Sequence, residues 1–301
     1  MRLKIFLKNR SFQTVARSVI LILPASILIQ PCLTYSIIYA EQQQEKRGEI
    51  ILVDLQKRAT IKTIVIDPGH GGDETGAEGK GGILEKDIVL DIADRLKKQL
   101  MKIPDLKIIA TRDKDVTMSL DERTAIANHN KADLFISIHV NASKGRKASG
   151  AETFFLSYEA SDEELRTLAA LENNAVGLPE EKAEENRQLE MILWDMAQAQ
   201  YLQESSELAE SLQKEFNDML GIRDRGIKQA PFRVLMGATM PAVLVEVGFL
   251  SNPEEEEKLK TASYREDVAG AIFRSVISYK EKVEKRVGRT GAQESPKFSN
   301  Q

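Results

Sequence analysis

At 301 residues, 42% apolar and 29% charged, the chain has enough apolar side chains for one large core, which excludes disorder along its whole length. Its formal net charge of -4 becomes -9 once the first forty residues are set aside, because these hold five basic side chains and no acidic one. Charge of that sign excludes a general nucleic-acid binder.

The leader places Arg2, Lys4, Lys8, Arg10 and Arg17 around and ahead of an apolar run, SVILILPASILIQPCLTYSIIYA. A basic region, an apolar stretch and the small residue Ala40 predict a secretory signal peptide over 1–40, with a mature chain starting near Glu41. That reading places the protein in the periplasm or outside the cell. The alternative is an uncleaved membrane anchor, and Pro24 and Pro31 inside the run weaken it. Cys32, the single cysteine, lies in this leader without the small residues of a lipoprotein signal before it, so neither a lipid anchor nor a disulfide is expected. Residues 41–61 read as a linker or N-terminal extension.

From 62 to 286, short β-type runs alternate with helical periodicity, which predicts a single α/β domain: a mostly parallel twisted sheet flanked by helices on both faces. The candidate strands are TIVIDP, LKIIAT, ADLFISIH, AETFFL, FRVL and PAVLVEV. Between them EKDIVLDIADRLKKQLM repeats Val89, Ile92, Leu96 and Leu100 at helical spacing, SSELAESLQKEFNDML ends at Gly221, and a third helix starts at Ser263 and runs to about 287. The stretch 158–203 is rich in Glu, has no strand pattern and carries two amphipathic repeats, around Leu165/Leu168 and around Leu189/Ile192/Leu193/Met196. Ser161 and Glu164 have capping-box spacing, and Gly177-Leu178-Pro179 divides the halves, so a helix-turn-helix insertion is expected. The tail 287–301 is expected to be disordered.

Chemistry concentrates at strand ends. The run IVIDPGHGG stops at Asp67-Pro68-Gly69 and sets His70 just past the C-terminal end of the first strand, the edge at which open α/β sheets bind ligands. Glu85 opens the next helix on the same stripe as Val89, Ile92 and Leu96, where a carboxylate needs a partner. His139 ends DLFISIH and shares a face with Phe135 and Ser137. Each alone reads as a structural residue, Glu85 as a first-turn glutamate favoured by the helix dipole. Together, two histidines and one carboxylate at one sheet edge form a set suited to a catalytic zinc, or to non-haem iron. His129, at a helix end among asparagines, takes no chemical role.

Glu246 interrupts the apolar strand PAVLVEV, where an unpaired charge is costly. It is the candidate base that takes a proton from an attacking water and returns it to a leaving amine. The competing reading is a structural ion pair with Arg225 or Arg233.

These blocks, DPGHGG followed by Glu85-Lys86-Asp87, TRDKDVTMSLDERTAIAN, DLFISIHVNAS and RGIKQAPFRVLMGATMPAVLVEVGFLSNPEEEEKL, come in an order and spacing that resemble the zinc-dependent N-acetylmuramoyl-L-alanine amidases, from about Lys62 to Leu259. The resemblance implies a zinc hydrolase that cuts the amide between N-acetylmuramic acid and L-alanine in peptidoglycan. It implies His70, Glu85 and His139 as zinc ligands and Glu246 as the catalytic glutamate. Arg112, Asn128 and Asn141 fall on matching blocks and stay outside the catalytic list. The insertion resembles that of family members used in daughter-cell separation, in which a helix occludes the zinc until an activator protein displaces it. Glu172, sharing a helical face with Leu165 and Leu168, is then the candidate autoinhibitory carboxylate, with rivals at Glu180 to Glu190. A solvated surface excursion is the plainer reading of the same segment. The rival activities are a zinc carboxypeptidase of stem peptides, a catalytically dead wall-binding relative and a metal-free glycosidase, the last leaving the histidines unexplained.

Overall fold

The computed structural model describes residues 60–143, 145–157, 163–173 and 188–293. The signal peptide placed at 1–40, nearly all of the 41–61 extension, Ser161 and the Gly177-Leu178-Pro179 turn lie outside the described residues, as do the rivals Glu180 to Glu185 and the end of the tail.

Six strands form one sheet in the order β2-β1-β3-β6-β4-β5. They are β1 (Thr63–Pro68), β2 (Lys107–Ala110), β3 (Leu134–Asn141), β4 (Ala151–Leu156), β5 (Asp224–Ala230) and β6 (Ala242–Phe249). All neighbours are parallel except β4 and β6. The helices are α1 (Glu85–Leu100), α2 (Leu120–His129), α3 (Glu163–Asn173), α4 (Gln188–Leu220), α5 (Pro253–Lys260) and α6 (Ala262–Gln293). Among the described residues no helix is long and apolar enough to cross a membrane.

Strands buried on both faces explain the near-continuous apolar runs of β3 and β6. On one face Ile64, Ile66, Ile136, Ile138, Val243 and Val245 pack under α1, α4 and α6 through Ile92, Leu212 and Ile272. On the other, Val65, Phe135, Phe154 and Leu244 meet Ala127 of α2, Leu165 and Ala169 of α3, and Phe232. The alternation of β-strand side chains puts Asp67, Ser137, His139 and Glu246 on this second face. The mostly parallel sheet with helices on both sides is the architecture the sequence pattern predicts.

Three local readings need correction. FRVL is not a strand: Arg233–Leu235 form a single 3-10 turn, and the fifth strand is DRGIKQA, just before it. This strand lacks a β-type pattern because it is an edge, hydrogen-bonded to β4 alone, so most of its side chains are only partly buried and no apolar alternation is required. The two helical patterns placed either side of Gln203 belong to one continuous helix, α4, with no breaker between them before Gly221. The tail read as disordered over 287–301 is helical where it is described, because α6 carries on through Gln293 with no proline to stop it.

Candidate metal centre

The chain leaves β1 through Pro68 and Gly69 and turns sharply at His70, whose φ of 56° is in the left-handed region. That conformation costs a non-glycine residue about 1 kcal/mol and is held only where the surroundings impose it. Here Arg123 Nη2 donates to the His70 carbonyl at 2.7 Å. Arg123 Nη1 donates to the Pro68 carbonyl (2.7 Å) and to Asp67 Oδ1 (2.8 Å). Asp67 also accepts from Thr111 Oγ1 and Ser137 Oγ. Burial works against its charge, but Arg123 and the two hydroxyls outweigh it and hold the carboxyl below the usual carboxylate range.

Glu85 opens α1 and is fixed by backbone donors: Ala77 N–H to Oε2 at 2.8 Å and Val140 N–H to Oε1 at 2.9 Å. The Val140 amide is available because it faces the β1 side of β3, where strand pairing has already ended at Pro68 opposite Ile138. Close approach depends on two glycines. A Cβ at Gly69 would lie 2.4 Å from His139 Cε1, and one at Gly76 would lie 2.5 Å from Glu85 Oε2.

Four donor atoms converge at the C-terminal edge of the sheet. His70 Nε2 lies 3.3 Å from Glu85 Oε1 and 3.3 Å from Glu172 Oε2. His139 Nδ1 lies 3.1 Å from the first and 3.2 Å from the second. Yet the buried Nε2 of His70 makes no hydrogen bond among the described residues. Ligands about 2.0 Å from a tetrahedral ion stand about 3.3 Å from one another, so these separations and this donor set fit a zinc-sized cation. Among the described residues, His70, His139 and Glu172 form a possible three-residue metal site.

The electrostatics point the same way. Burial opposes charge on His70, but Glu85 and Glu172 overcome it and lift the pKa to about 9. Burial equally opposes charge on His139, and the same two carboxylates push it well above the imidazole range. Glu85 and Glu172, disfavoured as anions by burial, are held below the usual carboxylate range by the two imidazoles, Glu172 at about 2. The two carboxylates thus favour positive charge on the imidazoles, the sign of charge that a cation would bring to the same place.

Glu246 sits beside His139, its partner in the β3–β6 register. It is fully buried, and among the described residues neither carboxylate oxygen has a hydrogen-bond partner. Burial, helped by the nearby Glu172, Glu85 and Glu152, outweighs the opposing pull of His139 and pushes its pKa well above the usual carboxylate value. The ion-pair alternative does not describe this geometry, since Arg225 pairs with Glu152 and Arg233 with Asp121.

The Glu172 side chain reaches the site from the last turn of α3, which the next residue ties down. Asn173 Nδ2 donates to the Pro231 carbonyl at 2.8 Å, and the Arg233 amide donates to Asn173 Oδ1 at 2.7 Å. Neither Asn173 nor Arg123 is marked by a local sequence pattern. Asn128 clasps the 237–239 loop instead of facing the donors.

The sequence profile of the N-acetylmuramoyl-L-alanine amidases matches residues 64–278. The chain is 37% identical over 226 residues to the N-acetylmuramoyl-L-alanine amidase AmiA of Escherichia coli K12, covering 74% of this chain and 78% of AmiA. It is 35% identical over 217 residues to AmiC of Escherichia coli O6:H1, covering 72% of this chain and about half, 52%, of AmiC. The crystal structure of an N-acetylmuramoyl-L-alanine amidase from Clostridium difficile 630 superposes with a TM-score of 0.56 at 32% identity, over 74% of this chain and 98% of that one. The CwlD amidase of Clostridioides difficile, solved in complex with the GerS lipoprotein, gives a TM-score of 0.56 at 27% identity over 73% and 99%.

Proposed function

The chain belongs to the N-acetylmuramoyl-L-alanine amidase family of peptidoglycan hydrolases, and from that premise we propose that it cuts the amide between the lactyl group of N-acetylmuramic acid and L-alanine with a zinc ion held by His70, Glu85 and His139. The observation that carries this reading is the convergence of two imidazole nitrogens and two carboxylate oxygens at 3.1 to 3.3 Å. When bound, zinc supplies a Lewis acid that polarises a carbonyl oxygen and acidifies water. Glu246, partnerless and beside His139, accepts the proton of the attacking water and hands it to the leaving nitrogen of L-alanine.

In the same reading Glu172 supplies the fourth donor and closes the site, and the scissile carbonyl reaches the centre only when α3 withdraws. An activator protein that draws α3 away would switch hydrolysis on, as in cell-wall remodelling or daughter-cell separation; the assembly of CwlD with a lipoprotein partner supports this. The leader over 1–40 delivers the enzyme to the periplasm or cell exterior, where peptidoglycan is found.

Digestion of purified sacculi tests the activity. Mass spectrometry is expected to find intact stem peptides freed from glycan, a release that stops with chelator and returns with zinc. Shortened peptides with their glycan link retained would instead identify a carboxypeptidase, and new glycan ends formed in chelator a glycosidase.

A further inference from the structure

We infer that Arg112 is a positioning residue for the metal centre: its guanidinium fixes the spacing between the loop that carries His70 and the helix that carries Glu85. The inference rests on the proposed metal site. Arg112 is 3% exposed and follows β2, on the far side of β1 from β3. Nε donates to the Pro68 carbonyl at 3.0 Å and Nη2 to the Gly69 carbonyl at 2.6 Å. Nη2 also donates to the Lys86 carbonyl at 3.0 Å, in the first turn of α1, one residue past Glu85. Nη1 reaches the Lys114 carbonyl at 3.3 Å.

With Arg123 on Pro68 and His70, the three successive carbonyls of the turn are all captured by two guanidinium groups. Arg112 alone among the pair extends to α1. The turn it holds also seats the third candidate ligand, because Gly69 packs against the His139 ring.

The contribution is geometric and not Coulombic. A buried cation near a dication site opposes metal binding, and none of the four acceptors of Arg112 is a carboxylate. A lysine keeps the charge but has a single nitrogen, which cannot span carbonyls on two elements as a planar fork does.

Arg112→Lys is therefore the decisive variant, compared in the full chain with Arg265→Lys. Arg265 likewise donates to two carbonyls, those of Leu259 and Lys260, away from the metal centre. Cobalt(II) affinity by chelator competition and the visible spectrum of the cobalt form are the readouts. Arg112→Lys is expected to weaken cobalt binding about 10- to 100-fold and to alter the spectrum, with circular dichroism unchanged. Arg265→Lys should leave both as in the wild type. Arg112→Gln, whose shorter amide likewise donates through a single nitrogen, is the second variant should the lysine not fold, and a loss at least as large in the same readouts is expected of it. Wild-type affinity and spectrum in either Arg112 variant overturn the assignment, as does an equal loss in Arg265→Lys. A wild-type chain that takes up no cobalt removes the metal centre itself, an outcome seen before any variant is compared.

Discussion

Glu85 and Glu172 bring chemically identical carboxylates to the same two imidazoles, at 3.1 to 3.3 Å, yet they are held in opposite ways. Glu85 is 2% exposed, at the head of a helix packed into the core, and both its oxygens accept backbone amides from separate loops and strands. Glu172 is 17% exposed at the end of an eleven-residue helix. That helix is seated by Leu165 and Ala169 and clasped at Asn173, with Leu171 turned to solvent at 64% exposure. A donor whose backbone anchors lie in the sheet edge is held by the core itself, whereas in the proposed reading the one on a short helix, seated by two apolar side chains and a clasp, is the one that leaves.

The comparison breaks hardest at the core-held side. His70→Ala should lose the metal and, with it, the several kcal/mol of transition-state stabilisation an ion supplies, about 10³-fold or more in turnover. Glu246→Gln should keep the metal yet lose about 10²- to 10⁴-fold in kcat, and elemental analysis beside sacculus hydrolysis separates the two. Metal loss in Glu246→Gln would merge base and ligand roles. On the removable side, Glu172→Ala gives up a charge-assisted contact of about 1.5 to 3 kcal/mol and should raise activator-free hydrolysis about 10- to 100-fold. A fall in activity would make Glu172 a working part of the centre instead of a stopper. Asn173→Ala removes two neutral hydrogen bonds of about 1 kcal/mol each and is expected to give the smallest gain, a few-fold in the same assay. No gain there would assign the docking of α3 to its apolar face.

The parts of the site that were legible in the sequence were those that broke a local pattern. His70 and His139 stop β-type runs, and Glu246 stands as a lone charge in VLVEV, so each announces a buried polar position at a strand end. DRGIKQA carried no such contrast: an edge strand satisfies its hydrogen bonds on one side and tolerates charge and glycine on the other, so its alternation is lost while FRVL looks more strand-like. Glu172 emerged from a family likeness and a shared helical face, not from its own surroundings, since nothing local distinguishes it from the other glutamates around it. The guanidinium network was illegible for a further reason. Arg112 and Arg123 act on carbonyls 26 to 55 residues away, and backbone acceptors leave no mark on composition or spacing.

His139 and Glu246 are opposite residues on adjacent parallel strands, so the gap between them is a rung of the sheet, near 4.8 Å between strand axes. Such a gauge is set by peptide hydrogen bonding and is indifferent to loop sequence, insertion or lid. The reach from the proposed proton carrier to the imidazole is therefore fixed as long as the two strands stay in step. A slip of one residue would turn the glutamate to the opposite face and end that arrangement outright.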